Sequence, residues 1–372
     1  MLGNQGAALA ERGPQKGLSM LGPSRESLLS TLHSAGHPLL ELSAPDQGAL
    51  LVLPYGGRVL GLFAEAAGEN FFWVNPALAE AESARAFLGG NAWVHSGGDR
   101  TWVSPEVEFH VGDLADPWNT YQAPRVIDPG QYSAAQTGQT ITLTNRARVH
   151  YHQRKVDIDI EIEKSVRLIA NPLHAEPALG EVAYAGYETA TTLRLADLAG
   201  APPISLWSLA VVPPAGWMIV PTWGATAARD FFEPTAPERL VSSRHAVRFL
   251  IDGLEQHKIG LRAEALTGRA GFLRTAGPER SALLVRQFVV NPSGDYIDTP
   301  WEARDQPGYA FQSYNGGEVL GAFGELEYHT PAIGGDSGQS SLTDTSQLWA
   351  FAGPSAQVEA IARRLLGADS LP

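Results

Sequence analysis

Cysteine is absent from the 372 residues. That excludes disulfides, thiolate nucleophiles and cysteine-ligated metals together. Long apolar runs are missing as well: none approaches the roughly 18–20 residues that a membrane helix needs. No membrane partner is therefore expected. The first residues, interrupted by Glu11, Arg12 and Lys16, also lack the apolar core of a secretory signal. The expected compartment is the cytoplasm. Lysine is scarce, with only Lys16, Lys155, Lys164 and Lys258. Basic residues number 27 against 40 acidic ones, a formal charge of −13. A chain this acidic repels phosphate backbones and anionic bilayers, so nucleic acid is not an expected partner. G-x-G-x-x-G, the P-loop and H-E-x-x-H are all missing, and no cofactor and no metal are expected. What remains is a neutral small molecule, or one held by a few placed arginines.

The apolar fraction, 44%, is enough for a large core. Residues 1–23, small, polar and Gly-rich, read as a loose arm. From residue 24 onward no composition shift marks a linker, so 24–372 is expected to form one domain. Ser24 opens a short helix with a stripe of Leu28, Leu29 and Leu32, ended by Gly36. A second helix is capped by Ser355 after Pro354, buries Val358, Ile361 and Leu365, and stops at Gly367. Nearly everything between reads as short strands split by Gly and Pro. In Val156–Glu163 four β-branched residues alternate with four carboxylates, which places the acids on one solvated sheet face. Further strands are expected at 183–195, 205–212, 217–220, 246–251, 257–263, 282–290 and 319–328. Strands do not alternate with long helices, which excludes a parallel α/β sheet and favours a large antiparallel sandwich.

Chemistry concentrates in three segments. In His95-Ser96-Gly97-Gly98-Asp99-Arg100-Thr101-Trp102-Val103-Ser104-Pro105-Glu106-Val107-Glu108, period-two alternation puts Arg100, Trp102, Ser104, Glu106 and Glu108 on one face, unless Pro105 breaks the register. An indole for the C–H face of a sugar, with arginine and carboxylates for its hydroxyls, makes a plausible carbohydrate surface; an Arg–Glu pair beside a core Trp is the alternative. Trp118 and Tyr121 form a candidate cleft wall or a packing lid. His150 and His152 share a strand face, but no pattern supplies a third metal ligand. In the last segment, Gly324–Pro331, Glu325 and Glu327 point one way and Leu326 and Tyr328 the other, which leaves a carboxylate placed to act as a base. Gly335-Asp336-Ser337-Gly338 imitates a serine-protease tetrapeptide but reads as a polar turn, since no histidine segment accompanies it.

Taken in order, Gly56–Leu62, His95-Ser96-Gly97-Gly98 with Trp102, and Leu326-Glu327-Tyr328-His329-Thr330-Pro331 resemble segments of the galactose mutarotase-like superfamily, the aldose 1-epimerases and a poorly characterised branch of their relatives. The resemblance implies an all-β fold, a large antiparallel β-supersandwich with short N- and C-terminal helices and a concave sugar cleft. It implies anomer interconversion, with Glu327 as base. It departs at the acid: epimerases carry a histidine on a mid-chain strand, whereas Leu206-Trp207-Ser208-Leu209-Ala210 has none, and Trp207 takes that place. His95 is then the first candidate for the acid, with His152 as a second. Arg100, Glu106 and His152 are expected to bind hydroxyls, and Trp102, Trp118 and Trp207 to face the sugar. The expected partner is a small-molecule carbohydrate; no oligomeric state is implied. A glycoside hydrolase or polysaccharide lyase on the same cleft, or a non-catalytic carbohydrate-binding protein, are the alternatives.

Overall fold

A computed structural model describes residues 22–65, 67–90, 93, 95–175, 180–317, 321–367 and 371. Of the expected arm, residues 1–21 lie outside the described residues, as do 318–320 at the start of the strand expected over 319–328.

The chain is mostly β. Its early strands are β1 (Leu40–Ala44), β2 (Gly48–Leu53), β3 (Arg58–Phe63), β4 (Asp99–Ser104), β5 (Ser133–Thr137), β6 (Thr140–Tyr151), β7 (Val156–Leu168) and β8 (Ala183–Leu195). The middle strands are β9 (Ser205–Val212), β10 (Gly216–Pro221), β11 (Arg229–Asp230), β12 (Leu240–Ser242), β13 (Ala246–Ile251) and β14 (His257–Leu261). The chain ends with β15 (Arg269–Thr275), β16 (Arg280–Gln287), β17 (Phe311–Asn315), β18 (Gly324–His329) and β19 (Ser341–Pro354). Helices are few and short: α1 (Arg25–Ser34), α2 (Ala81–Gly89), α3 (Glu106–His110), α4 (Pro117–Thr120) and α5 (Ser355–Leu366). No helix among the described residues is long and apolar enough to cross a membrane.

Two large antiparallel sheets result. One has nine strands in the order β1-β2-β3-β4-β9-β18-β17-β14-β11, the other ten in the order β12-β13-β10-β15-β16-β19-β8-β7-β6-β5. They pack face to face. Leu50, Ala210, Leu326 and Phe311 of the first meet Tyr187, Phe249, Leu284 and Leu348 of the second in one buried cluster, the sandwich arrangement that buries one face of each sheet. Helix α1 starts where Ser24 accepts a hydrogen bond from the Ser27 N–H. In α5, Ser355 is the first helical residue and its hydroxyl accepts from Ser281 instead of capping the helix. The acidic row of β7 pairs with Arg146, Arg148 and Arg194 on the exposed side of its sheet.

One expected face does not exist. β4 ends at Ser104, and a cis Ser104–Pro105 bond leads into α3. Glu106 and Glu108 therefore leave the row that Arg100, Trp102 and Ser104 share. The run Glu-Val-Glu-Phe-His fits strand alternation as well as one helical turn, so the pattern could not decide between them.

Candidate functional site

The outer face of the nine-stranded sheet collects the polar residues. Along β18, Glu325, Glu327 and His329 point outward while Leu326 and Tyr328 point into the sandwich. β9 lies between β4 and β18. Its Leu209 is opposite both Arg100 and Glu327, and its Trp207 is opposite both Trp102 and His329. One intervening strand thus brings together residues more than two hundred positions apart, as the residue numbers show.

At one end of this face, Arg100 Nη2 donates to Glu325 Oε1 at 2.8 Å, and its guanidinium lies 4.3 Å from the Trp102 ring centre. His95 Nε2 sits 3.3 Å from the same oxygen. The Gly97 N–H points at His95 Nδ1 from 3.4 Å, which assigns the proton to Nε2, facing Glu325. Burial, then the Arg100 charge, lowers His95 to about 4. Burial alone would raise Glu325, but Arg100 and His95 bring it down to about 2. His95 is therefore neutral, its Nε2 facing Glu325 without the geometry of a hydrogen bond, and it is packed by Phe323 at 4.5 Å and by Trp73 and Trp93.

The centre is built on Lys258. Its ammonium donates to Glu106 Oε2 at 2.9 Å, lies 3.5 Å from Glu327 Oε2, and stands 4.7 Å from the Trp207 ring centre. Burial would lower Lys258; Glu106, Glu327 and Asp298 around it hold it above its ordinary value instead. Glu327 is fully buried, and the Trp207 indole N–H donates to its Oε2 at 2.9 Å. Burial raises it to about 8, and Lys258 only partly offsets this because Glu325 and Glu106 add negative charge. Glu106 differs. Its side chain keeps about a fifth of its surface exposed, and it accepts from the Tyr121 hydroxyl at 2.7 Å. Burial pushes it up, but Lys258 outweighs this and leaves it below the usual carboxylate range. Asp298 accepts the Glu106 backbone N–H at 2.5 Å and the Gln312 amide at 2.6 Å, and burial lifts it to about 6.

Aromatic rings form the third part. Trp207 is stacked on His329 at 5.4 Å and meets Trp102 edge-on at 5.3 Å. Trp102 donates to Asp128 at 3.0 Å, and Asp128 pairs with Arg58 at 2.6 Å. His110, from α3, packs on Trp102 and Tyr121 and is lowered to about 4 by burial. His329 is held well below its ordinary value by burial, with Nδ1 3.1 Å from the Ser104 hydroxyl. Among the described residues, the buried atoms of this face without a hydrogen-bond partner include Glu327 Oε1, Gln312 Oε1, His329 Nε2, His110 Nε2, His95 Nε2, and Nε and Nη1 of Arg100. Buried polar atoms are ordinarily satisfied; the same lack occurs away from this face at Arg286 and Asp99 Oδ1.

Of the residues singled out from sequence, His95, Arg100, Trp102, Glu106, Trp207 and Glu327 come together on this face. Trp118 does not join the buried group. It is 43% exposed on α4 and touches Trp301 at 4.7 Å and Phe232 at 5.5 Å between ring centres. His152 lies apart, past the end of β6, its ring 5.0 Å from His150, which pairs with the exposed Asp157. Sequence reasoning missed Lys258, Asp298, His110 and Gln312. Lys258 had a signal, being one of only four lysines and set within an expected strand; the loop residue Asp298 had none. Two surface hollows, of about 460 and 330 Å³, lie away from this face: one among Arg146, Arg148, Asp159, Glu161 and Arg194, the other among Pro172, Arg269, Trp349 and Arg364. The first is lined by paired arginines and carboxylates on an open sheet face, with none of the perturbed groups described above.

Known structures similar to this chain include a galactose mutarotase related enzyme from Lactobacillus acidophilus, at 10% identity and a TM-score of 0.42 over 83% of this chain and 96% of that one. A GalM/aldose epimerase homologue from C. elegans is similar at 10% identity and a TM-score of 0.43, over 86% and 99%. Galactose 1-epimerase from Lactobacillus acidophilus NCFM is similar at 8% identity and a TM-score of 0.42, over 84% and 93%. Likenesses this distant carry no ligand or activity across. No curated protein matches the chain. The sequence model of DUF6786, a family of unknown function, matches residues 26–370, and the chain belongs to that family.

Proposed function

We propose that the chain binds an aldose or sugar derivative over the outer face of the nine-stranded sheet and interconverts its anomers by acid–base chemistry. One observation carries the reading. Two carboxyl groups, Glu327 and Glu106, are tethered to the same ammonium at 3.5 and 2.9 Å, yet one is raised to about 8 and the other held below its ordinary range. Environments that push paired carboxyls apart assign an acid and a base. At neutral pH Glu327 keeps its proton and Glu106 does not.

These resting forms reverse the role that the sequence resemblance implies for Glu327. Glu106 takes the proton of the anomeric hydroxyl while Glu327 gives its own to the ring oxygen. The bond between the anomeric carbon and that oxygen breaks, the aldehyde rotates, and closure returns both protons with the other anomer formed. Lys258 keeps its charge throughout and holds both carboxyls. Arg100 and Glu325, braced by His95, offer a donor and an acceptor for sugar hydroxyls. Trp207, stacked on His329 and facing Lys258, gives its indole N–H to Glu327 and so helps to position the acid. His95, neutral and facing Glu325, needs no part in the proton transfers. Two of the three segments that carry the resemblance, His95–Gly98 and Leu326–Pro331, contribute to this face.

Polarimetry of freshly dissolved aldoses across a range of pH tests the proposal. The expected rate exceeds buffer and follows a bell, falling above about pH 8 as Glu327 loses its proton and at low pH as Glu106 gains one. Replacing Glu327 by Gln is expected to lower the rate by about a hundredfold or more. A buffer rate for every aldose tried overturns the activity, and calorimetric sugar binding without turnover would leave a carbohydrate-binding protein.

A further inference from the structure

Three aromatic side chains from three separate loops meet at the surface: Trp118 of α4, Phe232 after β11, and Trp301 after the loop that carries Asp298. Each is tied by a few residues to the buried group. Tyr121, three positions after Trp118, bonds Glu106 at 2.7 Å. Phe231, beside Phe232, has its ring centre 5.3 Å from the Lys258 ammonium. Asp298, three positions before Trp301, accepts the Glu106 N–H at 2.5 Å. The three tethers converge on Glu106 and Lys258, the part of the site whose carboxylate reaches solvent. Trp118 is 43% exposed at this place while Trp301 and Phe232 pack against its ring, which leaves a large apolar surface open beside Glu106.

We infer that this aromatic rim binds a second sugar ring. The inference rests on the proposed function and narrows its substrate class to a reducing di- or oligosaccharide. The reducing-end ring, whose anomeric hydroxyl reacts, occupies the buried polar face, and the next ring lies against Trp118. The division of chemistry supports this order. The buried face supplies charged and polar groups suited to hydroxyls and to proton transfer. The rim supplies apolar ring faces, which suit the C–H face of a pyranose and ask nothing of its reactive carbon. Trp301 and Phe232 hold the Trp118 ring in place, so little side-chain freedom is lost on binding.

Isothermal calorimetry and polarimetry with galactose and glucose against lactose, maltose and cellobiose, on the full chain, test the inference. At least one disaccharide is expected to bind on the order of tenfold more tightly than its own reducing-end monosaccharide, the gain of one good aromatic contact. Trp118→Ala is expected to erase that gain while monosaccharide affinity stays within about twofold, and Trp118→Phe to keep much of it. Trp301→Ala, which removes the support and not the platform, is expected to weaken the gain in part. If monosaccharides bind and disaccharides gain nothing, or if Trp118→Ala weakens both alike, the inference is overturned and the proposed function stands. If no sugar of either size binds or turns over, the proposed function falls and takes the inference with it.

Discussion

A single carboxyl group shows how placement decides chemistry. Glu325 and Glu327 are two residues apart, on one strand and one face, yet one is lowered to about 2 and the other raised to about 8. Arg100 reaches the first directly; the second has an ammonium at 3.5 Å, an indole N–H and no exposed surface. The sign for stability follows. A carboxyl raised on folding favours the folded state fully below its unfolded value near 4.5, and that contribution is lost as pH rises through about 8. Glu327→Gln removes the titration. Thermal melts of the variant and the wild type are expected to diverge between about pH 5 and 8.5, the wild type losing on the order of 2–4 kcal/mol relative to the variant. Parallel curves over that window would mean that Glu327 is not held protonated. That both glutamates share a face was legible in the strict alternation of Gly324–His329. Their opposite ionisation was not, because Arg100 and Lys258 arrive from other strands.

At the scale of elements, short turns aim the site strands. Gly97 and Gly98 adopt φ of +87° and +76° at the entry to β4. A Cβ on Gly98 would stand 2.3 Å from the Val59 carbonyl oxygen, and one on Gly97 2.1 Å from that of Trp73. Both the backbone conformation and the lack of space demand glycine. This turn places His95 on one side and Arg100 on the other of the Glu325 carboxyl. Gly98→Ala is expected to cost about 3 kcal/mol or more in urea denaturation, through positive φ and backbone overlap together. Its fluorescence spectrum is expected to change too, as Trp73 and Trp102 shift; a cost under about 1 kcal/mol would show that the turn relaxes freely. The Gly-Gly pair and the strand after it were legible in the sequence. The end of that strand was not: α3 breaks the expected row after Ser104 and sends Glu106 over the sheet, where Lys258 and Tyr121 receive it. A five-residue helix carries too little periodicity to be recognised.

For the whole molecule, the question is what registers one sheet against the other. Asp99 on β4 accepts Arg286 of β16 and the Tyr187 hydroxyl of β8, each at 2.5 Å, and all three are almost fully buried. Tyr328 of β18 donates to Asp344 of β19 in the same interior. These polar ties cross the hydrophobic layer at fixed points behind the site, since Asp99 precedes Arg100 and Tyr328 follows Glu327. Arg286→Met alone is expected to cost about 3–5 kcal/mol, because it strands the Asp99 charge. Asp99→Leu combined with Arg286→Met is expected to recover only part of that loss, because the buried Lys164 near Asp99 then loses its counter-charge, and a double-mutant cycle in urea measures the recovery. Equal losses for the single and double variants would show that the tie itself, and not the stranded charge, holds the sheets.

By itself the sequence determined the β content, the two terminal helices, and which face of each strand carries polar groups, because alternation and turn chemistry are local. It also excluded thiol chemistry outright. Tertiary structure decided which strands lie side by side, and therefore that Lys258 and Asp298 meet Glu106 and Glu327 while His152 stays outside. Strand order in a sandwich is set by packing between distant segments, which no local pattern encodes. The charge state of each buried carboxyl depends on those same neighbours.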